Sequence, residues 1–163
     1  MRITAREERE ADCPCLVGAW QQTAASLARV AERMQTRGIR NARCSITTGG
    51  TLLQFTADFH GGETYQNLAT QCTAPTASSE GKSTGTGSFT WAQTSATQIT
   101  MNNGGGDANT HIKVTSHGHT SELDTPMPGG STAAITFRCS RTDLHLEYRS
   151  ATSTDAFDYT RAP

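Results

Sequence analysis

No apolar run in this 163-residue chain approaches the ~20 residues that cross a bilayer as a helix, so the sequence offers no membrane span of that kind. Apolar residues are few, at 34%, as are aromatic ones at 6% and charged ones at 18%. So thin an apolar supply makes cross-links and close packing more important than in an average domain. The net charge of −1 gives no bulk attraction to nucleic acid or to an anionic membrane surface. Several chemistries lack their residues. There is no Gly-x-Ser-x-Gly elbow for a serine hydrolase. Gly81-Lys82-Ser83-Thr84 is not a phosphate loop, because Thr76 stands where its first glycine is required and no apolar strand precedes it. No Cys-x-x-Cys occurs, and Cys13-Pro14-Cys15 is too short for a zinc knuckle or a redox motif. There is no Asn-x-Ser/Thr sequon.

Thr, Ser, Gly and Ala fill the gap, a mixture that suits exposed strand faces and turns, as in secreted β-proteins. The length fits one domain with a genuine core. Residues 1–12 read as a flexible charged leader and 13–163 as the folded unit. Charge is uneven, with eight Arg against five acids in residues 1–43 and six basic residues against ten acids beyond. Five cysteines, at 13, 15, 44, 72 and 139, favour disulfides over buried thiols, and hence an oxidising, extracellular setting. The segment Met1 to Asp12 has no apolar core of a signal peptide, so that location rests on the cysteines alone. An odd count leaves one thiol unpaired or joined to another chain.

Residues 16–22 alternate as a first strand. The period then changes: Leu27, Val30, Ala31 and Met34 form the stripe of an amphipathic helix from Thr23 to Arg37. Thr23 or Ser26 can cap its start, and Gly38 stands where a left-handed terminator belongs. Arg29, Arg33 and Arg37 share what is expected to be a solvated outer face. Period two dominates afterwards. Leu53, Phe55, Ala57 and Phe59 alternate; so do Phe89 and Trp91, Ile99 and Met101, Ile112 and Val114, Ile135 and Phe137, Leu144 and Leu146, and Phe157 and Tyr159. The Ser/Thr/Gly-rich stretch 73–87 reads as a long loop, and Asn102 to Asp107 as a turn. About eight short strands predict a mainly β chain, an up-and-down antiparallel barrel with one helix between the first two strands.

The two ends carry the sharpest signal. Leu16-Val17-Gly18-Ala19-Trp20 opens the first strand and Phe157-Asp158-Tyr159-Thr160-Arg161 closes the last. Glycine permits close approach of another backbone, and a guanidinium laid on the Trp20 indole gains a cation–π contact of ~0.5–2 kcal/mol. Together with the strand series, these residues resemble the calycin group: lipocalins, fatty-acid-binding proteins and their bacterial lipocalin-like relatives. More narrowly, Cys15-Leu16-Val17-Gly18-Ala19-Trp20 with Phe137-Arg138-Cys139-Ser140-Arg141-Thr142-Asp143-Leu144 is similar to a type of secreted bacterial domain. Ala19 departs from the usual Thr. The likeness covers about 30 residues at the two ends. It implies that Gly18, Trp20 and Arg161 close the barrel, with Arg161 stacked on Trp20, and that Cys15 bonds Cys139. Cys44 with Cys72 is then the expected second bridge, leaving Cys13 available to another chain. The helix is similar to the lid of fatty-acid-binding proteins, or else is a packing helix that plugs a barrel end.

These residues predict a non-catalytic, secreted, lipocalin-like domain that binds a small apolar or amphipathic ligand, with no cofactor. Residues on the inward parity are the candidate lining: Phe55, Phe89, Trp91, Met101, Phe137, Leu146 and Tyr148. An alternative is a solid-core barrel that acts as a protein–protein interaction or assembly module. A third reading is a metal enzyme built on His111, His117 and His119, with His60, His145 or Glu122 as a further ligand. It is disfavoured because His111 stands ~20 Å from the other pair on a straight strand. Asn103, Asp107 and Asn109 read as turn residues before a calcium site.

Overall fold

A computed structural model describes residues 15–37, 41–126 and 129–163, so Cys13, the charged leader and Gly38 lie outside the described residues. Ten strands and one helix follow in order: β1 (Gly18–Gln22), α1 (Ala24–Arg37), β2 (Arg43–Phe55), β3 (His60–Ala74), β4 (Ala77–Ser95), β5 (Gln98–Gly106), β6 (Asn109–Ser116), β7 (His119–Pro126), β8 (Thr132–Cys139), β9 (Asp143–Arg149) and β10 (Thr154–Arg161). Eight of them, β1, β2, β3, β4, β5, β8, β9 and β10, pair in that order and close on themselves through β10 and β1. Every pairing is antiparallel. The hairpin β6–β7 is the one departure from a simple meander, inserted between β5 and β8.

That hairpin explains the length of β4. Residues 87–95 of β4 pair with β5 in the barrel, whereas 77–84 pair with β6 outside it. The change of neighbour falls at Gly85, whose φ is +85° and where a Cβ would meet the Asp107 carbonyl oxygen at 2.5 Å. Asp107 fills the gap, its side chain accepting the Thr86 amide at 2.7 Å and its own amide donating to the Thr86 carbonyl at 3.1 Å. Irregularities on β2 and β3 line up with it. The β2–β3 register shifts around Thr48, and the β3–β4 register shifts between Tyr65 and Leu68. Across this seam the outer halves of β2, β3 and β4 leave the barrel and continue with β6 and β7 as a five-stranded extension.

The sequence expected a loop over 73–87; the structure makes most of it strand. Ser, Thr and Gly there satisfy both edges of the backbone, against β3 and against β6. Their small size leaves room for the row beside them, as at Gly81, where a Cβ would lie 2.6 Å from Thr70 Oγ1. On the opposite face of the extension, charges alternate across strands: Glu80 opposite Lys113 opposite Glu122, and Lys82 opposite His111 opposite Asp124. The expected turn at Asn102–Asp107 is likewise mostly strand, with Gly105 and Gly106 absorbing the bend at positive φ. Period two at Ala57 and Phe59 is not strand: β2 ends at Phe55, and Phe59 sits in the β2–β3 turn at φ 65°, more than half exposed.

Two disulfides join Cys15 to Cys139 and Cys44 to Cys72. Trp20, Phe55, Trp91, Ile99, Ile135, Leu144 and Leu146 are buried at one end of the barrel, where Phe55 meets Phe89 and Trp91 edge-on at 5.3 and 5.6 Å. Each such side chain contributes roughly 1.5–3 kcal/mol of burial. The same end holds Arg161, whose guanidinium covers the Trp20 ring and donates to the carbonyls of Val17 at 3.1 Å and Cys15 at 2.9 Å. Gly18 exists for that guanidinium rather than for a backbone: a Cβ would lie 2.3 Å from Arg161 Nη1.

Candidate functional site: a cavity at the helix end of the barrel

Away from Trp20 and Arg161, the barrel interior is not filled. A cavity of about 410 Å³ lies among Thr51 and Leu53 of β2, Glu63, Tyr65 and Leu68 of β3, Gly87 to Phe89 of β4, Met101 and Asn103 of β5, Ala133 of β8, Tyr148 of β9 and the Asp155, Phe157 and Tyr159 side chains of β10. Gln22, Leu27 and Val30 complete its wall. Leu53, Phe89, Met101 and Tyr159 also belong to the packed core, so the void and the plug adjoin within one barrel.

Helix α1 covers this end because its stripe faces inward, as the periodicity predicts. Leu27 and Ala31 are buried, and Val30 and Met34 half-buried. Thr23 is the cap, its Oγ1 accepting the Ser26 amide at 3.1 Å. Ser26 has a different task. It is fully buried, its Oγ accepting both the Asp158 amide and the Gln22 side chain, each at 3.0 Å. Arg29 and Arg33 do not form a solvated ridge. Arg29 pairs with Asp158, while Arg33 reaches Asp155 at 3.5 Å and lies 4.8 Å from the Phe157 ring centre. The acids of β10 turn the basic face of the helix toward the barrel. Asp158 also receives His145 Nδ1 at 2.5 Å, and the opposite ring nitrogen lies 3.2 Å from Glu147. Burial pushes the Asp158 carboxyl up, but His145 and Arg29 outweigh it and hold its pKa below the ordinary range. At its other end, α1 is tied to β2 by Gln35 Oε1, which accepts the Cys44 amide at 2.7 Å.

Of the candidate lining residues, Phe89, Met101 and Tyr148 border the cavity. Phe55, Trp91, Phe137 and Leu146 point inward too, but they belong to the packed end beneath it. Sequence reasoning missed Glu63, Tyr65, Phe157 and Tyr159 as lining. Glu63 was legible in principle: β2–β3 pairing sets it opposite Leu53, an inward position, once the turn is placed at Thr56–Phe59. The polar groups of the wall interact. Tyr65 donates its hydroxyl to the Glu63 carboxylate, and burial raises the Glu63 pKa against that bond. Burial likewise raises the pKa of the Tyr65, Tyr148 and Tyr159 hydroxyls, and the Glu63 charge adds to each shift.

The histidines fall apart from one another. His111 sits on β6 with its ring 2.9 Å from Asp124, His117 occupies the β6–β7 turn at φ 51°, and His119 begins β7. Among the described residues, no three His, Cys, Asp or Glu side chains converge as metal ligands do. Searches against protein-family models, curated proteins and solved structures found no match to this chain.

Proposed function

We propose that this chain is a lipocalin-like carrier or sensor domain that binds a small amphipathic molecule inside the barrel, beneath α1. The cavity supports this reading over a solid-core module. About 410 Å³ falls within the usual range for small-molecule sites, and its wall combines aromatic and aliphatic surface with a few converging polar groups. At the ~30 Å³ that a water-sized group takes up in a liquid, the space suits about a dozen heavy atoms. The end-to-end clasp of Gly18, Trp20 and Arg161 supports the calycin likeness. Two disulfides fit a secreted setting.

The test is titration with a neutral fluorescent arylamine small enough for that space, 1-aminonaphthalene, whose emission shifts to the blue in apolar surroundings. Saturable one-to-one binding is expected, weakened at least tenfold by Ala133→Trp, which places an indole in the void. Absence of saturable binding, or full affinity in Ala133→Trp, overturns the reading.

A further inference from the structure

Among the described residues, the cavity holds one charge without a counter-charge. Its wall includes, among the described residues, two carboxylates, Glu63 and Asp155, and no Lys, Arg or His. Asp155 has Arg33 at 3.5 Å. Glu63 has only the Tyr65 hydroxyl, and among the described residues no cation pairs with it. A carboxylate turned into an apolar chamber is expensive for a fold to keep, because desolvation is repaid only by a partner of opposite sign. Leu53 stands directly across the β2–β3 ladder from it, so the adjoining strand supplies no partner either. Nearby rings complete the setting. Tyr65, Tyr148 and Tyr159 line the same chamber, and their faces attract cations while their hydroxyl oxygens accept N–H donors.

Building on the ligand-binding reading above, we infer that the cavity selects organic cations: a primary or secondary ammonium group on an apolar body, with the Glu63 carboxylate as its counter-ion. The ammonium donates to Glu63, and the apolar body lies along Phe89, Met101 and Val30. An anionic amphiphile is rejected, because its head group would set a second carboxylate beside the first. The rise in the Glu63 pKa on burial accords with this, since a bound ammonium supplies the charge that the protein withholds.

The experiment compares three competitors of equal chain length, octylammonium, octanol and octanoate, as displacers of the naphthylamine probe from the full chain. Octylammonium is expected to displace it at a concentration at least tenfold below octanol, with octanoate the weakest. Glu63→Gln should cut the advantage of octylammonium over octanol to within about twofold and leave octanol unchanged, which also reports that the variant keeps its chamber. Equal potency of octanol or octanoate overturns the cation inference and leaves the cavity reading standing. So does an ammonium preference that survives in Glu63→Gln. Displacement by none of the three, with no probe binding, overturns both.

Discussion

The guanidinium carbon of Arg161 lies 4.1 Å from the centre of the Trp20 ring, and the two residues are register partners across β1 and β10. First and last strands thereby close the barrel through one side-chain pair. Arg161 does more than stack: its Nε donates to the Arg141 carbonyl at 2.7 Å and its terminal nitrogens to Val17 and Cys15. The Trp20 indole N–H donates to the Leu16 carbonyl at 2.8 Å, fixing the ring that receives it.

Arg161→Met removes the charge-assisted bonds and the cation–π contact while keeping the stem. A loss of about 2–4 kcal/mol is expected in urea unfolding. Arg161→Lys should recover less than half of it, because the donors of an ammonium sit on one nitrogen and cannot span carbonyls that three separate guanidinium nitrogens reach. Full recovery by Lys would show that charge alone carries the clasp.

The two disulfides close loops of very different size, with sequence separations of 124 and 28 residues. In the chain-entropy picture they contribute about 5 and 3.5 kcal/mol respectively. Replacing Cys15 and Cys139 together by Ser should therefore lower the melting temperature more than replacing Cys44 and Cys72. The reverse order would mean that the extension, where Cys44 and Cys72 sit, limits stability.

Gly49 has φ +81°, and a Cβ there would meet the Asn67 carbonyl oxygen at 2.3 Å. Gly118 has φ +77° with nothing within 4 Å. Gly49→Ala suffers both backbone strain and a clash with backbone, and is expected to cost about 2–4 kcal/mol. Gly118→Ala suffers the strain alone and should cost about 1–2 kcal/mol. Equal losses by chemical denaturation would show that the seam yields freely.

Glu63 gives stability an unusual pH dependence. Its folded pKa lies above its unfolded value, so the folded state holds the extra proton. Stability from this group is therefore fully present below the unfolded pKa of about 4.3 and falls as pH rises toward the folded value. Glu63→Gln should match the parent near pH 4 and exceed it at pH 7 in parallel denaturant titrations, the opposite of what a salt-bridged acid produces. A variant less stable than the parent at pH 7 contradicts this environment for Glu63.

Periodicity alone located α1 and most strand cores, because a helix stripe and a strand alternation are local properties of sequence. It failed where local composition and long-range pairing disagree. Residues 77–84 look like part of a linker, yet they are strand because β3 and β6 claim both of their backbone edges. Arg29 and Arg33 look solvent-facing, yet Asp155 and Asp158, more than a hundred residues away, draw them in.

By itself, then, the sequence determined a β-rich chain whose first and last strands carry matching halves of a clasp, since glycine, tryptophan and arginine are recognisable wherever they stand. Tertiary structure alone decided that four inward candidates fill the closed end while three border a void. Inward parity says which way a side chain points but not how far along the barrel the packing reaches. It also decided that Glu63 faces that void, because a hairpin register, not the residue's own character, turned a carboxylate indoors.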